Sequence, residues 1–258
     1  MPAHKSAFSK LFLLAISLAA CQPAVAPTFT PTPLPSATPT LAPTATLSPG
    51  PRRITFTTPD GATVNGELYG AGDTAVIFSV MGNCKQGWPE LAKEVAGQGM
   101  MALTYQWRAC RANSVDETLI RKFLDDTRGA INFMREQGAT RIILVGASLG
   151  GVASAKLTVE SGAVGLVVVA APDVISQWNF RIDSADLATN IPKLFITAED
   201  DSVVPAAAAR ALHDLAADPK EWQTYPGSAH GTDLFETENG AVVQQRILEF
   251  ILAIINQR

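Results

Sequence analysis

Ser148 sits in Gly146-Ala-Ser-Leu-Gly150, a glycine-boxed segment that ends the apolar run Ile142-Ile-Leu-Val145. A serine hydroxyl is a weak nucleophile unless a neighbouring base takes its proton and a third group orients that base. The chain has three histidines, His4, His213 and His230, and an acidic cluster at Glu199-Asp-Asp201. Together these residue types suit acyl transfer, in which an alkoxide attacks a carbonyl carbon and water later releases the acyl group. The plainer alternatives are a glycine-rich turn with a spare serine, and acids that cap a helix. The elements around these residues decide between them.

From Ile54 onward, strand and helix patterns alternate. Ile54–Thr58 and Val64–Tyr69 flank the turn Pro59-Asp-Gly61 and read as a hairpin. Ala75–Val80 is a continuous apolar run, as in a strand covered on both faces. Helical spacing follows over Trp88–Gln98, then a strand over Met100–Tyr105 and a helix over Leu119–Arg135. Arg141–Val145 reads as a strand and Gly150 to about Glu160 as a helix of small residues. Strands are expected over Gly165–Ala170, Lys193–Thr197 and Trp222–Tyr225, with helices over Ala206–Ala216 and Val242–Ile255. The expected fold class is α/β: an open, mostly parallel sheet with helices on both faces and an antiparallel hairpin at the N-terminal edge. Sites in such sheets lie beyond the carboxyl ends of the strands. Ser148 therefore follows a strand and precedes a helix. That turn would hold the hydroxyl above the sheet edge and aim the Leu149 N–H at any anion forming beside it.

The N-terminus has a different character. Lys5 and Lys10 precede the apolar stretch Leu11–Ala20, which is shorter than the roughly 20 residues needed to span a bilayer and fits a secretory signal peptide over 1–20. Leu18-Ala-Ala-Cys21 resembles the lipobox of bacterial lipoproteins. That resemblance implies cleavage before Cys21 and acylation of its thiol, so that the lipid bilayer becomes a partner and the domain works on the extracytoplasmic side. The segment 21–51 is dominated by Pro and Thr, cannot bury a core, and is expected to act as an extended spacer reaching up to ~90 Å at ~3.1 Å per residue. The folded domain is expected over 52–258. A net charge of −4 provides no basic surface for nucleic acid, and three cysteines do not make a disulfide scaffold.

The region from Ile54 to Ile255, with its Gly-x-Ser-x-Gly between strand and helix, resembles the α/β-hydrolase fold. That family orders its triad as nucleophile, acid, histidine. The resemblance assigns Ser148 as nucleophile. It assigns the acid to Asp201, four residues before Pro205 in an Asp-x-x-Val-Pro pattern, with Asp200 as the competitor. The base is His230 in Gly227-Ser-Ala-His-Gly231, since His4 lies in the signal and His213 reads as a surface residue of an alanine-rich helix. An oxyanion hole is implied from the N–H groups of Leu149 and of the loop after the third strand. There Gly82 is kept but Met81 stands where the family commonly has His; the donor is assigned to Asn83, with Met81 or Cys84 as alternatives.

Adjacent strands in this fold would bring Cys84 and Cys110 to one rim, where either a disulfide or two buried thiols is compatible with the sequence. Gln106, Trp107 and Arg108 are placed at the same rim, Arg108 with a structural alternative. Between Pro172 and Pro192 there is room for a loop or short helix but no lid domain. Trp178 and Phe180 either line a shallow apolar pocket or cover the sheet. The expected function is a carboxylesterase for small or accessible esters, with no cofactor and no metal. A peptidase or thioesterase of the same fold, and a non-catalytic surface lipoprotein, are the alternatives. The sequence has nothing to say about oligomeric state.

Overall fold

The computed structural model describes residues 50–80, 82–111 and 117–256. The expected signal peptide, Cys21, all but the last two residues of the spacer, and Met81 lie outside the described residues. The elements run β1 (Arg52–Thr57), β2 (Thr63–Tyr69), β3 (Thr74–Ser79), α1 (Pro89–Gly97), β4 (Met101–Gln106) and α2 (Glu117–Glu136). The central strand β5 (Arg141–Ala147) follows, then α3 (Leu149–Lys156), α4 (Thr158–Ser161) and β6 (Gly165–Val169). A two-residue-per-strand hairpin, β7 (Val174–Ile175) and β8 (Phe180–Arg181), precedes β9 (Lys193–Ala198), α5 (Ala206–Leu215), β10 (Lys220–Tyr225) and α6 (Gly240–Asn256).

Eight strands form one sheet in the order β1-β2-β4-β3-β5-β6-β9-β10. The hairpin β1–β2 and the pair β2–β4 are antiparallel. Every pairing from β4 through β10 is parallel. The parallel strands β3, β6 and β9 are buried at every residue, because helices cover both faces and period-two alternation has no solvent side to report. On one face Phe123, Ile131, Val152 and Leu212 of α2, α3 and α5 pack against Ile77, Leu103 and Leu144. On the other, Leu91 and Val95 of α1 and Ile247 and Ile251 of α6 pack against Val76, Phe78 and Val145.

The expected elements are present, the edge hairpin included. The small-residue helix is interrupted at Leu157, where the Thr158 hydroxyl donates back to the Ser154 carbonyl at 2.8 Å, a bond that competes with regular helix. Two sequence-based placements are corrected. Trp107 does not face the rim: it is 1% exposed and stacks on Phe123 with ring centroids 3.9 Å apart. His213 is not a surface residue either; it is buried between Phe195 and Trp222, with Nδ1 2.8 Å from Asp214 Oδ1. Trp178 and Phe180 are half-buried and pack on the core, so they cover the sheet.

Candidate active site

β5 is the central strand of the parallel region, paired with β3 on one side and β6 on the other. It runs directly into α3 through Ser148, whose φ of 53° and ψ of −123° lie where L-residues are strained. The two boxing glycines make that turn possible. A Cβ on Gly146 would lie 2.2 Å from the Gly150 carbonyl oxygen, and one on Gly150 would lie 2.3 Å from the Ser79 carbonyl oxygen. Both obstacles are backbone and cannot move aside, so the chain reverses this tightly only without side chains there. The Ser148 N–H is taken by the Val169 carbonyl at 2.8 Å, which fixes the turn to the end of β6. Leu149 is the first residue of α3, so its N–H is one of the donors a helix start leaves without an intrahelical acceptor.

Asp201 follows β9 and is 4% exposed. Its Oδ1 accepts from the N–H groups of Val203 at 2.8 Å and Val204 at 3.0 Å. Its Oδ2 lies 2.8 Å from His230 Nδ1. One carboxylate thus does both jobs that the sequence leaves divided among three acids: it caps the turn ahead of α5 and holds the imidazole. Asp200 and Glu199 are exposed. Asp200 is held through its backbone, its N–H donating to the Gly227 carbonyl at 3.0 Å.

His230 follows β10 and caps a 3-10 helix, Gly231–Glu236. An ionised carboxylate can only accept, so Nδ1 carries the proton toward Asp201. Nε2 is then the ring position with a free lone pair. Among the described residues Ser148 Oγ makes no hydrogen bond to the imidazole; such bonds are commonly long without substrate and tighten when it binds. Ser148, Asp201 and His230 all stand just past the carboxyl ends of parallel strands, β5, β9 and β10, on one edge of the sheet.

The loop after β3 carries Asn83, which is exposed. It packs close to the serine turn, since a Cβ on Gly82 would lie 2.6 Å from Leu149 Cδ1. Cys84 and Cys110 form a disulfide with Cα atoms 5.6 Å apart, joining the loops after β3 and β4. On the other side, Lys85 Nζ lies 2.6 Å from Asp233 and 2.8 Å from Glu236. The sequence carries no signal for this contact, because its partners are 148 residues apart.

Arg108 is structural. It bridges Asp60 of the β1–β2 turn and Asp126 of α2, whose side chain is fully buried. Among the described residues no cluster of His, Cys, Asp or Glu is arranged to hold a metal ion. A groove of about 640 Å³ lies away from Ser148, on the polar face of β1, β2 and β4 beside Arg53, Asn65, Glu67 and Gln106. Beyond those strands it reaches only Gln86 of the β3–α1 loop and Pro89, the first residue of α1. It reads as the solvated face of an antiparallel edge.

No known family profile matches this sequence, and no functionally curated protein matches it. Solved structures do match in three dimensions. The Pyrococcus furiosus esterase Pf2001 superposes with a TM-score of 0.64 at 13% identity, over 79% of this chain and 92% of that one. The esterase domain of a Rhodothermus marinus protein gives 0.61 at 17% identity, over 78% and 97%. The α/β hydrolase GrgF from Penicillium sp. sh18 gives 0.61 at 18% identity, over 78% and 97%. Identities this low establish shared architecture and nothing finer. The chain has the α/β-hydrolase fold.

Proposed function

We propose that this protein is a serine hydrolase, a carboxylesterase acting on small or accessible esters through an acyl-enzyme on Ser148. The observation that carries the reading is the buried Asp201 carboxylate clamped between two backbone N–H groups and His230 Nδ1, at the sheet edge where Ser148 stands in its strained turn. That arrangement prepares Nε2 as a base. As Ser148 Oγ bonds to the ester carbonyl carbon, its proton passes to Nε2, and Asp201 stabilises the imidazolium. The tetrahedral oxyanion accepts from the Leu149 and Asn83 N–H groups, each such donor being worth about 3 kcal/mol of barrier. Collapse breaks the ester C–O bond, and the alcohol leaves with the proton from Nε2. Water then gives a proton to Nε2 as it attacks the acyl carbon. The second collapse frees the acid and restores the serine. Esterases among the structural neighbours support this reaction class.

The domain is further proposed to work outside the cytoplasm, tethered through acyl chains on Cys21. The Leu18-Ala-Ala-Cys21 pattern supports this, and so does the Cys84–Cys110 disulfide, a bond that persists in oxidising compartments. Among the described residues no helix is long and apolar enough to cross a membrane. Two experiments test these readings. Parent protein should hydrolyse p-nitrophenyl esters of short acyl chains and Ser148→Ala should not; folded parent inactive on every ester would favour a non-catalytic binding role. Metabolic palmitate should label the parent and not Cys21→Ala, and equal labelling of both would remove the anchor assignment.

A further inference from the structure

The geometry points to Lys85 as a positioning residue that couples the oxyanion loop to the histidine loop. This rests on the catalytic reading above and adds to it a residue outside the triad and the oxyanion donors. Three consecutive residues share the work. Asn83 presents the proposed donor N–H, and its Oδ1 accepts from the Lys85 N–H at 3.0 Å. Cys84 ties the loop covalently to Cys110. Lys85 reaches the opposite way, to Asp233 at 2.6 Å and Glu236 at 2.8 Å.

Those two acids lie on the 3-10 helix that begins immediately after His230. The Asp233 N–H donates to the His230 carbonyl at 3.1 Å. A single ammonium therefore connects the backbone that carries the base to the loop that carries the oxyanion donor. The two segments also touch further along, where a Cβ on Gly87 would fall 2.3 Å from Thr232 Cβ. The Lys85 ammonium is held charged above its ordinary range, chiefly by its hydrogen bond to Asp233 and then by that to Glu236.

The clamp is accessible to solvent, with side-chain exposures of 38% for Lys85, 41% for Asp233 and 66% for Glu236. Exposed ion pairs contribute little to global stability. Small displacements of a catalytic group nevertheless have large rate effects. A residue of this kind should show itself in turnover rather than in melting temperature. It should also respond to salt, because at about 1 M the screening length shrinks to about 3 Å.

The test compares the full chain with Lys85→Met, Lys85→Arg and the Asp233→Asn/Glu236→Gln pair on a short p-nitrophenyl ester, at low salt and in about 1 M NaCl. Lys85→Met should lose about tenfold in kcat, less than the ~10²–10³ of a deleted oxyanion donor, with KM and melting temperature little changed. Lys85→Arg should recover most of the loss, and the double carboxylate variant should match Lys85→Met. High salt should bring the parent down towards Lys85→Met while leaving that variant where it was. Full kcat in Lys85→Met, or an equal salt response in all four proteins, would overturn the inference. If the parent shows no esterase activity, the catalytic reading fails first. Hydrogen exchange then tests the clamp alone: Lys85→Met should speed exchange in both 82–88 and 230–236, and acceleration of neither or only one contradicts the coupling.

Discussion

Replacing Asp201 with Asn isolates the orienting role proposed for the acid with a change of one atom. Oδ1 faces two donors, the N–H groups of Val203 and Val204, and Oδ2 faces His230 Nδ1. An asparagine fits that environment in one orientation only. Its carbonyl must face the two N–H groups, since turning the NH₂ towards them would set donors against donors in a buried site. The NH₂ is then directed at His230 Nδ1, which must become the acceptor. The ring proton moves to Nε2, and the lone pair that should take the Ser148 proton is gone. The wrong tautomer in such a triad costs ~10⁴ in kcat, or about 5 kcal/mol at 1.36 kcal/mol per decade. The assay is steady-state hydrolysis of a p-nitrophenyl ester, normalised to folded protein by circular dichroism. Asp200→Asn serves as the comparison, because Asp200 is held through its backbone N–H, which the change keeps. Asp201→Asn retaining more than about a tenth of parental kcat would refute the tautomer argument. A large loss in Asp200→Asn with a small one in Asp201→Asn would move the acid to the neighbouring position.

Other outcomes follow from the frame around the site. Arg108→Met leaves the fully buried Asp126 carboxylate without its charge partner, with only the backbone N–H of residue 108 still donating to it, so urea unfolding should show about 3–5 kcal/mol of lost stability; a loss below about 1 kcal/mol would mean that water already reaches Asp126. Hydrogen bonds from Arg108 hold the Asp60 carboxyl well below the usual carboxylate range. A depressed folded-state value stabilises fully above the ordinary value of about 4 and progressively less as pH falls beneath it. The stability gap between parent and Asp60→Asn should therefore be constant near neutrality and shrink below about pH 4, and a gap that widens in acid would contradict the sign. Asp126, pushed up chiefly by burial, works in the opposite sense, and because the Asp60 charge contributes least to that rise, most of it is common to both proteins. Converting Cys84 and Cys110 to Ser opens a bridge of sequence separation 26, for which the chain-entropy estimate is about 3.5 kcal/mol; unchanged stability on thermal unfolding would show that the unfolded chain does not feel the cross-link.

Much of this fold is legible in the sequence because its parallel strands are buried on both faces. Ile142–Val145 and Leu166–Val169 read as strands from apolar, mostly β-branched runs alone, without any alternation to decode. The serine turn is legible for a steric reason. Glycine at 146 and 150 is demanded by backbone atoms within 2.3 Å of where a Cβ would stand, so the motif records a contact. Contacts between elements are less legible. His213 follows a run of alanines that gives no hint of Phe195 and Trp222 closing over its ring. Trp107 stands one residue past β4 and looks like rim until α2 brings Phe123 beneath it. The two-residue strands β7 and β8 are too short to carry a period. The Lys85 clamp joins residues that no local pattern connects.

Ser148 is proposed to be an activated nucleophile. Intact mass and peptide mapping after exposure to a fluorophosphonate test it most directly. A single adduct is expected on the peptide containing Ser148, absent in Ser148→Ala and greatly slowed in folded His230→Ala. Folded parent protein that takes up no label, or takes it up on another residue, would contradict it.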